Sequence, residues 1–133
     1  MKVVYDTCLY IDLLRSSQRL ELFQQRSHIR FISPIVVMEL RAGAINTALQ
    51  RIVDQLLSPY SKASRIIELH SNLYYKAGEC LAKLNKEIRK SKGFSNDLLI
   101  ALSAISIGAT LFTSNHKDFE KISKILPLKW EKV

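Results

Sequence analysis

A chain of 133 residues that is 47% apolar, with only four Gly and three Pro, has the size and composition of one globular domain, which excludes disordered and fibrous classes. Its 20 Lys and Arg against 12 Asp and Glu leave a net charge of +8, which admits a polyanionic partner without demanding one, because a solvated basic surface carries the same balance. Cys8 and Cys80 stand far apart with no CxxC or Cys/His spacing, which argues against a zinc site or a disulfide framework and fits a reducing cytoplasm.

No repeat or long linker divides the chain, so residues 1–133 read as a single domain. The N-terminus "MKVVYD" has no apolar signal core, and "KVVY" is apolar enough at its centre to predict a buried strand. "LYIDLLR" and "RLELFQQR" read as two short helices punctuated by Ser16 and Ser17, and "IRFIS" as a second strand. Ser33 is placed to cap a helix whose first position is Pro34, and the apolar pattern predicts that this helix runs on to the "SPYS" break around Pro59. "SRIIEL" fits a helix end, a strand or an extended connection.

From His70 to about Lys90 the spacing of Leu69, Leu73, Ala77, Leu81 and Leu84 is helical, and Lys83 to Lys92 crowd its end. After "KGFS", Ser95 or Asn96 can cap the helix "DLLIALSAISIG", which leads into a third strand, "TLFT". The uncharged run from Leu98 to His116 has the length of a membrane span, but its Ser, Thr, Gly and Asn residues favour a buried helix followed by a strand. A polar loop, "SNHKDF", and an edge strand within "ILPLKWEKV", anchored by Trp130, close the chain. Alternating short strands and helices predict an α/β fold with a small central parallel sheet and helices on both sides. In such sheets polar groups at the carboxyl ends of the strands share one rim, here Asp6 and the Ser114–Asp118 loop.

Five Asp occur in the whole chain, so their placement carries information. Asp54 reads as a helix-face residue and Asp12 as a local partner of Arg15. Asp6, Glu39 and Asp97 are each embedded in strongly apolar sequence, where carboxylates are rare unless paired or bound to metal. Each also has an ordinary structural use. Asp6 can cap the helix that follows it, Glu39 can pair with Arg41 or a distant Arg, and Asp97 can favour the helix dipole from a first turn. Converging carboxylates repel one another, and a hard divalent cation such as Mg²⁺ or Mn²⁺ removes that cost.

The segments "VVYDTCLYIDLL", "ISPIVVMELRAG" and "SNDLLIALSAISIGATLFTSNHKDF" resemble, in order and spacing, those of PIN-domain ribonucleases, and within them the VapC-type toxins of toxin–antitoxin pairs. The resemblance implies a PIN-like α/β fold with an acidic pocket that holds Mg²⁺ or Mn²⁺ and hydrolyses RNA. It maps Asp6, Glu39 and Asp97 onto the family's three acids, as catalytic residues and metal ligands. The family's fourth acidic position falls in a segment where this chain has Thr113, Ser114 and Asn115, an amide. Asp118, three residues on, either supplies the missing acid or caps the "FEKISKI" helix, in which case the site works with three carboxylates. Cys8 is a second departure, standing where many relatives carry Asn or Ser, and is read as packing.

Thr7, Thr113, Asn115, Lys90, Lys92 and Lys117 are the candidate substrate-binding residues, the hydroxyls to orient a carboxylate or a water and the lysines to meet RNA phosphates. Capping and solvation are the ordinary uses of the same lysines. His28, His70 and His116 show no ligand spacing. An antitoxin protein and a homodimer complete what the resemblance implies; "LYIDLLR" and "RLELFQQR" are apolar enough either to form part of the antitoxin's groove or to serve ordinary core packing. Two other functions fit the residues: a PIN-fold binding module with a degraded site, kept open by Asn115, and a housekeeping RNA-processing nuclease without an antitoxin.

Overall fold

The computed structural model describes all 133 residues. Strand β1 (Lys2–Tyr5) is followed by helices α1 (Thr7–Ser16) and α2 (Leu20–Phe23), then β2 (Ile29–Phe31). Helices α3 (Pro34–Gly43), α4 (Thr47–Lys62), α5 (Ser71–Lys83), α6 (Lys86–Arg89) and α7 (Phe94–Ser106) lead to β3 (Thr110–Thr113), α8 (His116–Ser123) and β4 (Trp130–Lys132). The four strands form one parallel sheet in the order β2-β1-β3-β4, with Val4 opposite Phe31 on one side and Leu111 on the other. Val3, Val4 and Tyr5 point to alternate faces and all three are fully buried, so both faces of the centre are covered, as a parallel sheet requires.

Chain direction reverses at sites the chemistry of the residues explains. Asp6 leaves β1 in an extended conformation, and its side chain accepts from the Thr7 N–H to start α1. Ser33 caps α3 by accepting from the Ile35 N–H, with Pro34 at the first turn as predicted. At the end of α7, Gly108 takes φ +67 while the Ala109 N–H reaches Ala104 O and the Gly108 N–H reaches Ile105 O. This paired closure needs a residue tolerant of left-handed φ, and it separates the uncharged run into α7 and β3. No helix is long and apolar enough to cross a membrane.

Several boundaries differ from the sequence reading. The predicted long helix after Pro34 is two helices, because Gly43 ends α3 and Asn46 caps α4, its Oδ1 accepting from the Leu49 N–H at 2.9 Å. The apolar pattern carries across this break because Ala44 is buried between the helices. Replacing Asn46 with Ala is expected to cost about 1 kcal/mol in a denaturant melt, the usual worth of such a cap. At the other end, α4 continues through Pro59 to Lys62, and buried Tyr60 bonds the Tyr10 hydroxyl at 2.8 Å. The helical run after His70 breaks at Leu84, and Asn85 caps the short α6. Helix α7 starts from Gly93, at φ +83, so Ser95 and Asn96 lie inside it rather than capping it. "SRIIEL" is extended and pairs with the sheet side only through a bridge from Ile66 to Ile32.

Candidate active site

At the carboxyl rim of the sheet, β1 delivers Asp6, β3 delivers Thr113, and the first turns of α7 and α8 deliver Asp97 and Asp118. Glu39 comes from α3, the helix that follows β2. Asp6 is 5% exposed and accepts three hydrogen bonds: from the Thr7 N–H at 2.8 Å on Oδ1, and from Thr113 Oγ1 at 2.8 Å and Cys8 Sγ at 3.3 Å on Oδ2. Capping and membership of the cluster are therefore compatible, one oxygen for each. Thr7 Oγ1 donates to Glu39 Oε1 at 2.8 Å, tying α1 to α3.

Electrostatics bind the four acids into one unit. Burial pushes the Asp97 carboxyl up to about 8, helped by the Asp118 carboxyl lying against it and by the charges of Asp6, Asp118 and Glu39. Burial also raises Asp6, against the pull of its three donors, and the Asp118 charge adds to the rise. No basic side chain offsets this charge, since the ion pairs of the chain are Arg19–Asp12 and His70–Glu68.

An all-oxygen donor set of carboxylates that repel one another has the chemistry of a site for a hard divalent cation. No three His, Cys, Asp or Glu side chains already converge as a ligand cage, so the acids stand as facing charges rather than a closed coordination sphere.

The remaining sequence candidates distribute unevenly. Thr7 and Thr113 turn their hydroxyls onto Glu39 and Asp6. Asn115 is exposed at the N-cap position of α8 without a side-chain capping bond, and its backbone N–H donates to Thr113 Oγ1 at 3.0 Å. Asp118 sits within the first turn of α8, not in a loop before it. Lys90, Lys92 and Lys117 are exposed, and no ion pair ties them to the acids. His116 opens α8 without an ionic partner among the acids.

Two expected pairings are corrected. Asp12 pairs with Arg19 at 3.4 Å instead of Arg15, because left-handed turns at Ser17 and Arg19 fold the chain back toward α1. Arg41 donates to Ala44 O instead of Glu39. Cys8, read as packing, belongs to the cluster's surroundings: Ser114 Oγ donates to its sulfur at 3.2 Å, and burial with the Asp6 charge keeps the thiol protonated. Its place in the first turn after Asp6, and that of Ser114 in the rim loop, were the available signals.

Against this geometry the comparisons with known proteins are consistent. Residues 3–125 match the PIN domain family. The chain is 32% identical over 116 residues to Ribonuclease VapC2 of Rickettsia felis, covering 85% of this chain and 82% of that protein. The structure of VapBC-1 from nontypeable Haemophilus influenzae superposes with a TM-score of 0.73 at 25% identity, over 99% of this chain and 98% of the other. VapBC2 of Rickettsia felis, bound to a DNA fragment from its promoter, gives 0.69 at 26% identity, over 100% of this chain and 99% of the other. A parallel sheet carrying acids at its carboxyl rim thus belongs to a defined class of fold. The chain is a member of the PIN-domain family, on its VapC-type branch.

Proposed function

We propose that this protein is a ribonuclease toxin of a toxin–antitoxin pair, hydrolysing RNA phosphodiester bonds at Asp6, Glu39, Asp97 and Asp118 with Mg²⁺ or Mn²⁺. The observation that carries the reading is the convergence of Asp6, Glu39, Asp97 and Asp118 at one sheet rim with no cationic side chain paired to them, which raises the Asp97 carboxyl. Its kinship with Ribonuclease VapC2 and with VapBC complexes supports the substrate class and an antitoxin partner. A homodimer is part of the same proposal.

A bound divalent cation supplies charge neutralisation at the phosphate and acidifies an attacking water. The chain's own residues prepare the site. Asp6 is fixed by the Thr7 N–H and Thr113 Oγ1, so its carboxylate loses little freedom on ligation. Thr7 occupies only one oxygen of Glu39, leaving Oε2 to take a proton from water during attack. Asp97, its carboxyl raised by burial and by the neighbouring acids, would hold the cation beside Asp118 once deprotonated. Lys90, Lys92 and Lys117 give the RNA backbone salt-dependent, sequence-blind attraction.

Ile11, Leu14, Leu40, Leu49 and Val53, with Glu39 and Arg15, line a largely apolar groove of about 230 Å³ that suits coverage by an antitoxin. Of the two short helices expected to form such a groove, α1 contributes and α2 does not.

Removing the Thr113 hydroxyl in Thr113→Val should lower cleavage about 10–100-fold, as loss of an outer partner of a metal ligand does. Mn²⁺ affinity, read by calorimetry, should rise with pH up to about 8, approaching tenfold per unit as one proton leaves Asp97. The same titration of Asp97→Asn should lack that dependence. Expression in a bacterial host tests the toxin role: growth arrest with fragmented cellular RNA, relieved by co-expressing the product of a small neighbouring reading frame, is expected. Unimpaired growth with intact RNA would contradict it.

A further inference from the structure

Away from the acids, edge strand β2 and helix α4 enclose a concavity of about 290 Å³ that the nuclease reading does not use. Its polar lining is Arg30 of β2, Gln55 of α4 and Arg65 after α4, and its apolar wall includes Phe23, Pro59 and Tyr60. No acidic residue lines it, and neither arginine belongs to an ion pair. The Tyr5 and Tyr10 hydroxyls, which feel the Arg30 charge, do not supply a counter-charge. Burial pushes Tyr5 up to about 12 and Tyr10 well above its ordinary value, so both stay neutral.

Both arginines are placed by ordered backbone. Arg30 pairs with Val3 in the sheet. The Arg65 N–H donates to Tyr60 O at 2.8 Å, its carbonyl accepts from the Ile32 N–H at 2.9 Å, and its guanidinium lies 6.0 Å from the Phe31 ring centroid. Two guanidiniums without an ion-pair partner, carried into one concavity by held backbone, offer the planar donor forks that bind phosphate oxygens in parallel pairs. An adjacent aromatic wall offers a surface for a ribose or base, the way unpaired nucleotides are held. The volume stands at the lower end for small-ligand sites, enough for one nucleotide unit and too small for the face of a helix.

We propose that the Arg30–Arg65 concavity binds the phosphate of one nucleotide unit, with the sugar or base against Phe23 and Tyr60. Two sources share this chemistry: a free 5′-mononucleotide and a nucleotide within single-stranded RNA. No residue of this concavity belongs to the acid cluster, and binding is measured in EDTA, so the proposal and the nuclease reading fail separately.

The test titrates 5′-AMP by calorimetry and a fluorescein-labelled uridine dodecamer by anisotropy into the wild type, the Arg30→Gln/Arg65→Gln double variant and Gln55→Glu. Gln55 is exposed, so Gln55→Glu places a negative charge at the concavity while leaving the packing around the arginines intact. At least a tenfold loss of affinity for either probe in both variants is expected. For the dodecamer, the double variant should also lower the salt slope by about 0.7 for each phosphate it no longer neutralises. Loss confined to 5′-AMP assigns the site to free mononucleotide, and loss confined to the dodecamer assigns it to the RNA strand. Affinities for both probes unchanged in both variants would overturn the proposal. So would an Asp/Glu-rich decapeptide that binds through the arginines while neither nucleotide probe does, which would make this an acidic-protein surface.

Discussion

Metal-free Asp97→Asn is expected to melt above the wild type at pH 8.5, and to lose that advantage as the pH falls toward 4. In the folded wild type the Asp97 carboxyl is raised from 3.8 to about 8, so between these values the native state holds a proton that the unfolded chain has released. Wild-type stability therefore falls as pH rises through this window, and the full penalty is present above it. A cost of roughly 2 kcal/mol is reasonable, well under conversion of the whole shift, because solvent and side-chain rotation relieve part of the repulsion. That corresponds to a rise of about 6–10 °C in Tm for a domain of this size. Asp97 also favours the first turn of α7 by about 0.3–1 kcal/mol, and relief of repulsion outweighs that loss. Saturating Mn²⁺ should reverse the order, stabilising the wild type by about 2.7 kcal/mol at a hundred times Kd and the variant far less. Melts at pH 5, 7 and 8.5, with EDTA and with Mn²⁺, resolve this crossing. An Asp97→Asn protein less stable in EDTA at every pH would reduce Asp97 to a helix-dipole residue.

The second large effect is on chemistry. Asp6→Asn and Asp97→Asn should each lower RNA cleavage by more than about 100-fold, beyond the usual loss when only an outer partner of a metal ligand is removed. Asp6→Asn separates the two uses of that side chain. Asn caps helices about as well as Asp, so the Oδ1 bond to the Thr7 N–H survives, while relief of charge repulsion offsets the loss of Oδ2 as acceptor for Thr113 and Cys8. The carboxylate charge is removed while the cap is kept. A variant that folds normally and cleaves at the wild-type rate would leave Asp6 as a cap and nothing more.

How far the sequence reached follows from what each feature depends on. Local signals were sufficient where the determinants lie within a few residues: the buried run of β1, the Ser33–Pro34 start of α3 and the strand Thr110–Thr113. They misled where a cap competes with apolar periodicity, as at Asn46, and where a proline near a helix end is tolerated, as at Pro59. Asp6, Glu39 and Asp97 stood out because a carboxylate in apolar sequence needs an explanation. Asp118 was reached only through its rim position and the family's fourth acidic place, because its neighbour Asp97 comes from a different helix and only the packing of α7 against α8 brings them together. Arg30 and Arg65 were invisible for the same reason, lying 35 positions apart and meeting only around β2.

The most direct measurement is the cleavage rate of a defined single-stranded RNA by the purified protein as Mn²⁺ is raised from zero. No product in EDTA, a saturable rise with metal and a flat line for Asp97→Asn are the expected results. An undiminished rate in EDTA, or from Asp97→Asn, would contradict a metal-dependent carboxylate site.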